Sequence, residues 1–367
     1  MAVSLTTPLQ DRTGAEVVRT PIIDSDVHVY IQPDDLERHL SPFWRDHYLN
    51  FGKRTYDGML FPRSMPMAAR HDAWPPNGDI PGANLEFTQM QLLDEFDMDY
   101  AILTPLTGTG EVLNFDFGLA HAQAVNDYQI EDWCAHDSRM RASIIIPYED
   151  GPLSAEEIHR LGNHPSMAQV FLVTRTRDPL GSRRYWPIYE AACEYDLPIA
   201  VHFGGVGGSG ITGAGSPTYY IEDHAGMAQS FQSQVTSIVS QGLFEIFDNL
   251  KFVLIEGGFA WMIPLMWRLD RTWEKLHKEL PRVKRPPSEY IREHMWISTQ
   301  PIEEPLYPHQ FNQMLDQLDM TDRLMFASDY PHWDFDNPMR AIPSTVADAE
   351  RRRIMAENAA ELYDLPI

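Results

Sequence analysis

Eight short apolar runs recur along the chain, and helical patterns separate them. The runs are rich in Val, Ile, Leu and aromatic residues, and they lie at 21–30, 99–106, 140–148, 167–174, 197–205, 250–258, 294–302 and 323–332. Near-continuous apolar runs of this length are typical of strands buried on both faces of a parallel sheet. Between them, residues 84–98 and 185–196 carry apolar side chains at three- and four-residue spacing, which indicates amphipathic helices. Eight such strand–helix units predict an α/β fold, a (β/α)₈ TIM barrel, with a doubly wound open sheet as the alternative.

Two segments are too long for the loops of a minimal barrel, and we interpret them as insertions after strands 1 and 5. The first covers residues 31–83 and is rich in Pro, Trp, Arg and Met, and the second covers 204–225 and is rich in glycine. Both follow C-terminal strand ends, where barrel enzymes build their active sites, so we expect them to shape or cover a pocket. The glycine-rich segment lacks the phosphate-loop pattern and opens no dinucleotide-type helix, which argues against phosphate binding.

The composition narrows the class of protein and its partners. Residues 1–20 lack the basic start and apolar core of a signal peptide, so we interpret them as a flexible tail before one domain at 21–367. No apolar run approaches the ~18 residues of a membrane span, and the net charge of −24 disfavours nucleic acid and anionic membranes as partners. The two cysteines, Cys134 and Cys193, show no metal-type spacing and exclude a disulfide framework, which favours a cytoplasmic location.

Charged and ligating side chains stand at the C-terminal ends of four of the predicted strands. Asp26 and His28 are two residues apart on strand 1, so both point to the same side of it. Strand 5 carries His202, strand 6 ends in Glu256, and strand 8 ends in the segment that holds Asp329. One such residue is usually a satisfied polar group in the core, but four strands that place N and O ligands at one rim indicate a metal site.

This ligand set suggests one divalent metal ion. Histidine and aspartate ligands with an open position for water favour zinc, and manganese or iron also fits the set. A bound cation lowers the pKa of its water toward ~7 and supplies a nucleophile, or it orients a substrate oxygen. We predict Asp26, His28, His202 and Asp329 as metal ligands, with Asp329 also able to accept the water proton. Glu256 is then either a fifth ligand or a separate general base.

Four further residues are candidates for substrate binding. His332 follows Asp329 by three residues, and His224 lies in the segment after strand 5. Phe259 and Trp261 follow strand 6 and could form an aromatic wall. A structural role is the alternative for each of the two histidines.

The sequence resembles the amidohydrolase superfamily, in the branch that contains aminocarboxymuconate-semialdehyde decarboxylase and related aromatic-acid decarboxylases. The resemblance covers about residues 20–365, and its markers are IIDSDVH, AHAQAVNDY, YWPIYEAACEYDLPIAVHFGG, GLFEIFDNLKFVLIEGGFAWM, LMFASDYPHWD and ENAAELYDL. It implies a distorted barrel with one metal ion. The family's strand-1 pair maps onto Asp26 and His28, its strand-5 histidine onto His202, and its strand-8 aspartate onto Asp329. Related decarboxylases place a histidine after strand 6, where this chain has Glu256.

The resemblance leaves two reactions open for a small-molecule substrate. The first is hydrolysis, in which metal-activated water attacks an amide, an ester, a lactone or an activated C–C bond of a small aromatic or cyclic compound. The second is non-oxidative decarboxylation of an aromatic or muconate-type acid. Glu256 favours hydrolysis slightly, because a carboxylate is a capable base for water. A catalytically inactive barrel that only binds its ligand is the third alternative. The resemblance also implies a homodimer.

Overall fold

The computed structural model describes residues 19–53, 66–205 and 212–367. Eight strands run through it in chain order: β1 Ile23–Val27, β2 Tyr100–Leu103, β3 Met140–Ile145, β4 Met167–Val173, β5 Ile199–His202, β6 Phe252–Ile255, β7 Met295–Ser298 and β8 Leu324–Met325. The helices that alternate with them are α1 Pro33–His39, α2 Pro42–Phe51, α3 Leu85–Thr88, α4 Phe115–Tyr128, α5 Gly151–Leu161, α6 Trp186–Glu194, α7 Tyr220–Ala225, α8 Met227–Ser240, α9 Met262–Leu276, α10 Pro287–His294, α11 Pro308–Leu318, α12 Asp348–Arg352 and α13 Asn358–Tyr363.

The strands form one parallel sheet in the order β1 to β8. Hydrogen bonds between β1 and the segment after β8 bring the two edges together: Ser25 N donates to Phe326 O at 3.0 Å, and His28 N donates to Tyr330 O at 2.7 Å. A sequential order that returns to its first strand is that of a barrel and not of a doubly wound sheet. The predicted (β/α)₈ fold is therefore confirmed.

The strands are buried on both faces, as their apolar runs predict. All five residues of β1 and all seven of β4 are buried. Inward-facing side chains fill the barrel, while the outward faces pack against helices such as α4 and α5, each of which buries several residues. The core also contains polar side chains that the backbone satisfies. Asn126 of α4, for example, donates to Ile145 O at 2.9 Å and accepts from Ile145 N at 2.8 Å, which fastens α4 to the end of β3.

The two predicted insertions supply structure around the C-terminal ends of the strands. Within 31–83 the described residues form α1, α2 and a short stretch at 66–74, which pairs back onto the β8 side through an antiparallel bridge between Ala69 and His332. The described part of the second insertion contains a turn at 212–215 and α7. Of the predicted tail at 1–20, only Arg19 and Thr20 fall within the described residues, and Arg19 forms ion pairs with Asp97 and Asp99.

Candidate metal centre

Asp26 and His28 reach the barrel mouth from the end of β1. His28 Nδ1 lies 2.8 Å from the carbonyl oxygen of Thr104, which follows β2, so this nitrogen carries the proton and donates it. The other ring nitrogen, Nε2, faces the barrel axis, 2.7 Å from Oδ1 of Asp329 and 3.7 Å from Oδ1 of Asp26. All three side chains are fully buried. The Thr104 carbonyl therefore fixes the tautomer that leaves His28 Nε2 free to bind a cation.

His202, the last residue of β5, faces the same point. Its Nδ1 donates to Phe203 O at 2.5 Å. Its Nε2 lies 3.5 Å from Oδ2 of Asp26 and 3.0 Å from Oε2 of Glu256. The rings of His28 and His202 meet edge to face with centroids 5.0 Å apart. Two imidazoles, each with one nitrogen satisfied by a backbone carbonyl, thus point their second nitrogen at one set of carboxylates.

Glu256 and Asp329 enter the site on left-handed backbone. Each has φ of 61°, a region that residues with a side chain rarely adopt. Glu256 N donates to Ser298 Oγ at 3.1 Å, and Asp329 N donates to Asp26 O at 3.2 Å, so neighbouring strands hold both residues in place. Strained backbone that its surroundings maintain is common where a side chain must be aimed at a functional site.

The donor set fits a divalent cation. Ligand atoms of Asp26, His28 and His202 lie within 4.8 Å of one another. Asp26 Oδ2 and His202 Nε2 are buried and make no hydrogen bond within the described residues, although buried polar atoms are normally paired. Burial alone would lower the pKa of His202, but the negative charges of Glu256 and Asp26 raise it well above its usual range. Carboxylates that converge on a buried imidazole form a site that a metal cation would satisfy.

The structure places His332 in direct contact with the predicted ligands. Its Nδ1 lies 2.7 Å from Asp329 Oδ1, and its Nε2 lies 3.0 Å from the Tyr30 hydroxyl. Its ring centroid is 4.3 Å from that of His28. His28, Asp329 and His332 therefore form a second group of potential ligands that shares two members with the predicted set. Both nitrogens of His332 already have partners, so it is best placed to orient the Asp329 carboxylate.

His224 is connected to the centre through residues that the sequence analysis did not single out. Asp334 Oδ2 lies 2.8 Å from His224 Nε2 and accepts from Gln300 Nε2 at 3.1 Å. Gln300 Nε2 also donates to Asp329 Oδ2 at 3.1 Å. Asp334 lies two residues beyond His332 in the SDYPHWD segment, so the sequence could have indicated it as a site residue. Gln300, after β7, could not be predicted as a site residue, because an uncharged amide is not a typical metal ligand.

Phe259 and Trp261 make packing contacts. The Phe259 ring is fully buried, with its centroid 5.7 Å from that of Phe311. Trp261 stacks on Phe231 at 6.0 Å, and its Nε1 donates to the carbonyl oxygens of Gly257 and Gly258. These contacts hold the turn after β6, which carries Glu256. A substrate-binding role for the two rings stays a prediction.

A cavity of about 250 Å³ adjoins the centre on the side of β2 to β5. Its lining combines apolar side chains, among them Leu106, Ile145, Phe171, Val173 and Phe203, with the polar residues Thr107, Thr109 and Glu111. The Phe171 ring lies 5.6 Å from the ring of His202, so this wall of the cavity lies beside the ligand cluster. The space is suited to a small planar apolar group such as an aromatic ring.

Comparisons with known proteins identify the class. A model of the amidohydrolase family matches residues 23–365. None of the curated proteins compared with the sequence matches it. Among solved structures, the chain is similar to an amidohydrolase from Mycobacterium avium subsp. paratuberculosis K-10, with 21% identity, a TM-score of 0.70, and coverage of 94% of this chain and 100% of the other.

Two decarboxylases are also structurally similar to the chain. A dihydroxybenzoic acid decarboxylase from Polaromonas sp. JS666, solved with manganese and the inhibitor 2-nitroresorcinol, is 18% identical with a TM-score of 0.67, and the match covers 95% of this chain and 98% of that one. The 5-carboxyvanillate decarboxylase of Sphingomonas paucimobilis is 17% identical with a TM-score of 0.68 and coverage of 95% and 100%.

The fold and the ligand cluster define a barrel enzyme of the metal-dependent hydrolase and carboxy-lyase class. The chain belongs to the amidohydrolase family, as its markers in the sequence predicted. No helix among the described residues is long and apolar enough to cross a membrane.

Proposed function

We propose that this enzyme is a metal-dependent non-oxidative decarboxylase of a small aromatic acid. The observation that carries the proposal is the position of the ligand cluster beside a partly apolar cavity of about 250 Å³. In this proposal the cavity takes the aromatic ring, and the ring's carboxylate faces the cluster. Structural neighbours that match over nearly their whole length, and whose names give dihydroxybenzoate and carboxyvanillate as substrates, support this choice of substrate class.

Asp26, His28, His202 and Asp329 hold the metal ion in this proposal. Two imidazole nitrogens and two carboxylates suit Zn²⁺, and Mn²⁺, which the Polaromonas relative binds, is the second choice. When bound, the cation supplies positive charge that attracts the substrate's oxygen atoms and offsets the charge of the surrounding carboxylates.

The protein's own residues then favour loss of the carboxyl group. In this proposal the side chains of Leu106, Ile145 and Phe171 give the ring apolar surroundings. A carboxylate pays a large penalty for leaving water, whereas neutral CO₂ pays little, so these surroundings favour the product over the starting acid. The tethers from His28 to Thr104 and from His202 to Phe203 keep both imidazoles in place during the reaction.

Hydrolysis is the second candidate, and Glu256 is the reason. Burial raises the pKa of Glu256, the charge of Asp329 raises it further, and His202 opposes the rise. A carboxylate with a raised pKa is a stronger base than usual and suits the activation of a water molecule. Its Oε2 lies 3.0 Å from His202 Nε2, at the ligand cluster itself, so a role as a fifth ligand is also consistent with its position.

One experiment distinguishes these functions. The protein is loaded with Zn²⁺ or with Mn²⁺ and assayed for CO₂ release against hydroxybenzoic acids and for hydrolysis of aryl esters, amides and lactones. Release of CO₂ with one phenol formed per acid consumed supports decarboxylation. Hydrolysis without CO₂ release would overturn it in favour of the second candidate.

The Glu256→Gln variant assigns the role of the carboxylate. Loss of turnover with the metal retained, measured by elemental analysis, identifies Glu256 as a base. Loss of the metal identifies it as a ligand. His159→Gln, which alters an exposed histidine on α5, is the matched control and should change neither quantity.

A further inference from the structure

His224 and Asp334 form an imidazole–carboxylate pair at the barrel mouth, outside the predicted ligand set. Nε2 of His224 lies 2.8 Å from Oδ2 of Asp334, and the two side chains are 18% and 12% exposed. His224 belongs to α7, after β5, whereas Asp334 follows β8, so the pair joins two sides of the mouth. Within residues 19–53, 66–205 and 212–367, the second ring nitrogen, Nδ1, makes no hydrogen bond. A carboxylate that fixes one nitrogen while the other stays available is the arrangement of a catalytic histidine.

Aromatic contacts hold the His224 ring in one orientation. Its centroid lies 5.1 Å from that of Trp333 and 5.8 Å from that of Tyr220. Trp333 Nε1 in turn donates to the Tyr220 hydroxyl at 3.2 Å. Two rings joined by a hydrogen bond thus restrain the imidazole, which an exposed ion pair on the surface would not require.

Gln300 couples this pair to the candidate metal centre. Its amide nitrogen, Nε2, donates at 3.1 Å both to Asp334 and to Asp329. The hydrogen bond to Asp334 raises the pKa of His224, burial opposes this, and the charges of Glu256 and Asp329 add to the rise. Through Gln300 and Asp334 the imidazole is thus linked to the centre by hydrogen bonds, although it touches none of the four predicted ligands.

We propose that His224, oriented by Asp334, delivers a proton to the carbon atom that loses CO₂. The bond between that carbon and the carboxylate breaks, CO₂ leaves, and the bonding electron pair stays on the ring carbon. This pair takes the proton from Nδ1 of His224, so a C–H bond forms and the imidazolium becomes neutral imidazole. Solvent water then returns the proton. The inference rests on the proposed decarboxylation, and it assigns to this chain the acid that such a reaction requires.

The test compares His224→Gln and Asp334→Asn with the wild type and with the control His159→Gln. We expect His224→Gln to retain its metal content and its dissociation constant for 2-nitroresorcinol, while kcat falls by roughly 10²–10⁴-fold, the usual contribution of a positioned acid. Asp334→Asn should lower kcat by roughly tenfold or more, because it leaves the imidazole without its orienting charge. Added imidazole should restore part of the activity of His224→Gly.

A second measurement separates this inference from the proposed function. Exchange of the ring proton of resorcinol with D₂O needs the same proton transfer but no carboxyl group, and NMR follows it directly. We expect the wild type to catalyse the exchange and His224→Gln to lose it, even if no acid in the panel releases CO₂.

The following results would overturn the inference. A His224→Gln protein that keeps kcat and ring-proton exchange within about twofold of the wild type has no need of this acid. Loss of the metal in that variant, with no rescue of His224→Gly by imidazole, would make the pair a structural support. Absence of exchange in the wild type would also exclude His224 as the donor to carbon.

Discussion

Replacing Gln300 with methionine tests the hydrogen-bond network behind the candidate metal centre. Methionine approximates the length of glutamine but removes the amide that bridges Asp329 and Asp334 at 3.1 Å each. Hydrogen bonds to charged acceptors contribute about 1.5–3 kcal/mol each, so their loss costs roughly 3–6 kcal/mol. Among the described residues Oε1 of Gln300 is buried and makes no hydrogen bond, so its removal restores about 1–3 kcal/mol of stability. The midpoints of these two ranges leave a net destabilisation of roughly 2–3 kcal/mol.

The assay is urea unfolding of the metal-free protein, monitored by tryptophan fluorescence, together with metal titration of the folded variant. We expect a lower unfolding midpoint with an unchanged slope. We also expect metal affinity to fall about 10–100-fold, because residues that orient a ligand carboxylate contribute on that scale. Gln313→Met, an exposed substitution on α11, is the matched control. A Gln300→Met protein with the stability and metal affinity of the wild type would refute the network.

Three further predictions address the scaffold and the site. Asn126→Leu removes the hydrogen bonds to Ile145 and to Glu157, so the free energy of unfolding, measured by chemical denaturation, should fall by at least about 3 kcal/mol. A fall below about 1 kcal/mol would contradict these contacts. Burial and the charge of Lys53 lower the pKa of His121 to about 3. The unfolded chain therefore binds a proton that the folded chain does not, and stability falls as the pH drops from ~6.5 toward 3. His121→Gln should flatten this part of the acid-unfolding curve, and an unchanged curve would count against it. Removal of the metal by a chelator should lower the melting temperature, and one added equivalent of Zn²⁺ or Mn²⁺ should restore it. A melting temperature that changes with neither treatment would contradict a bound metal.

The fold was predictable because its signals are local and repeated. Each strand is a short apolar run buried on both faces, and eight of them separated by helical patterns leave few architectures. The clustering of Asp26, His28, His202 and Asp329 was predictable for a related reason. Parallel strands in a barrel end at one rim, so polar residues at their ends converge there whatever their distance along the chain.

Other features depend on packing between distant segments, which no local pattern encodes. Gln300 gains its importance only because the segments after β7 and β8 bring two carboxylates to its amide. The left-handed backbone conformation of Glu256 and of Asp329 could not be predicted from the sequence either, because neither residue type requires it. The aromatic wall predicted for Phe259 and Trp261 drew on their place after β6. The position of a residue after a strand does not show which way its side chain points. In the structure the ring of Phe259 packs against Phe311, and the ring of Trp261 packs against Phe231.

The most direct test of the central claim is a crystal structure of the metal-loaded protein, measured at the absorption edge of the metal. We predict one anomalous peak per chain, in contact with Nε2 of His28 and of His202 and with carboxylate oxygens of Asp26 and Asp329. His28→Ala should lose this peak. Metal-loaded crystals with no peak among these four side chains, or with a peak elsewhere in the barrel, would contradict the account.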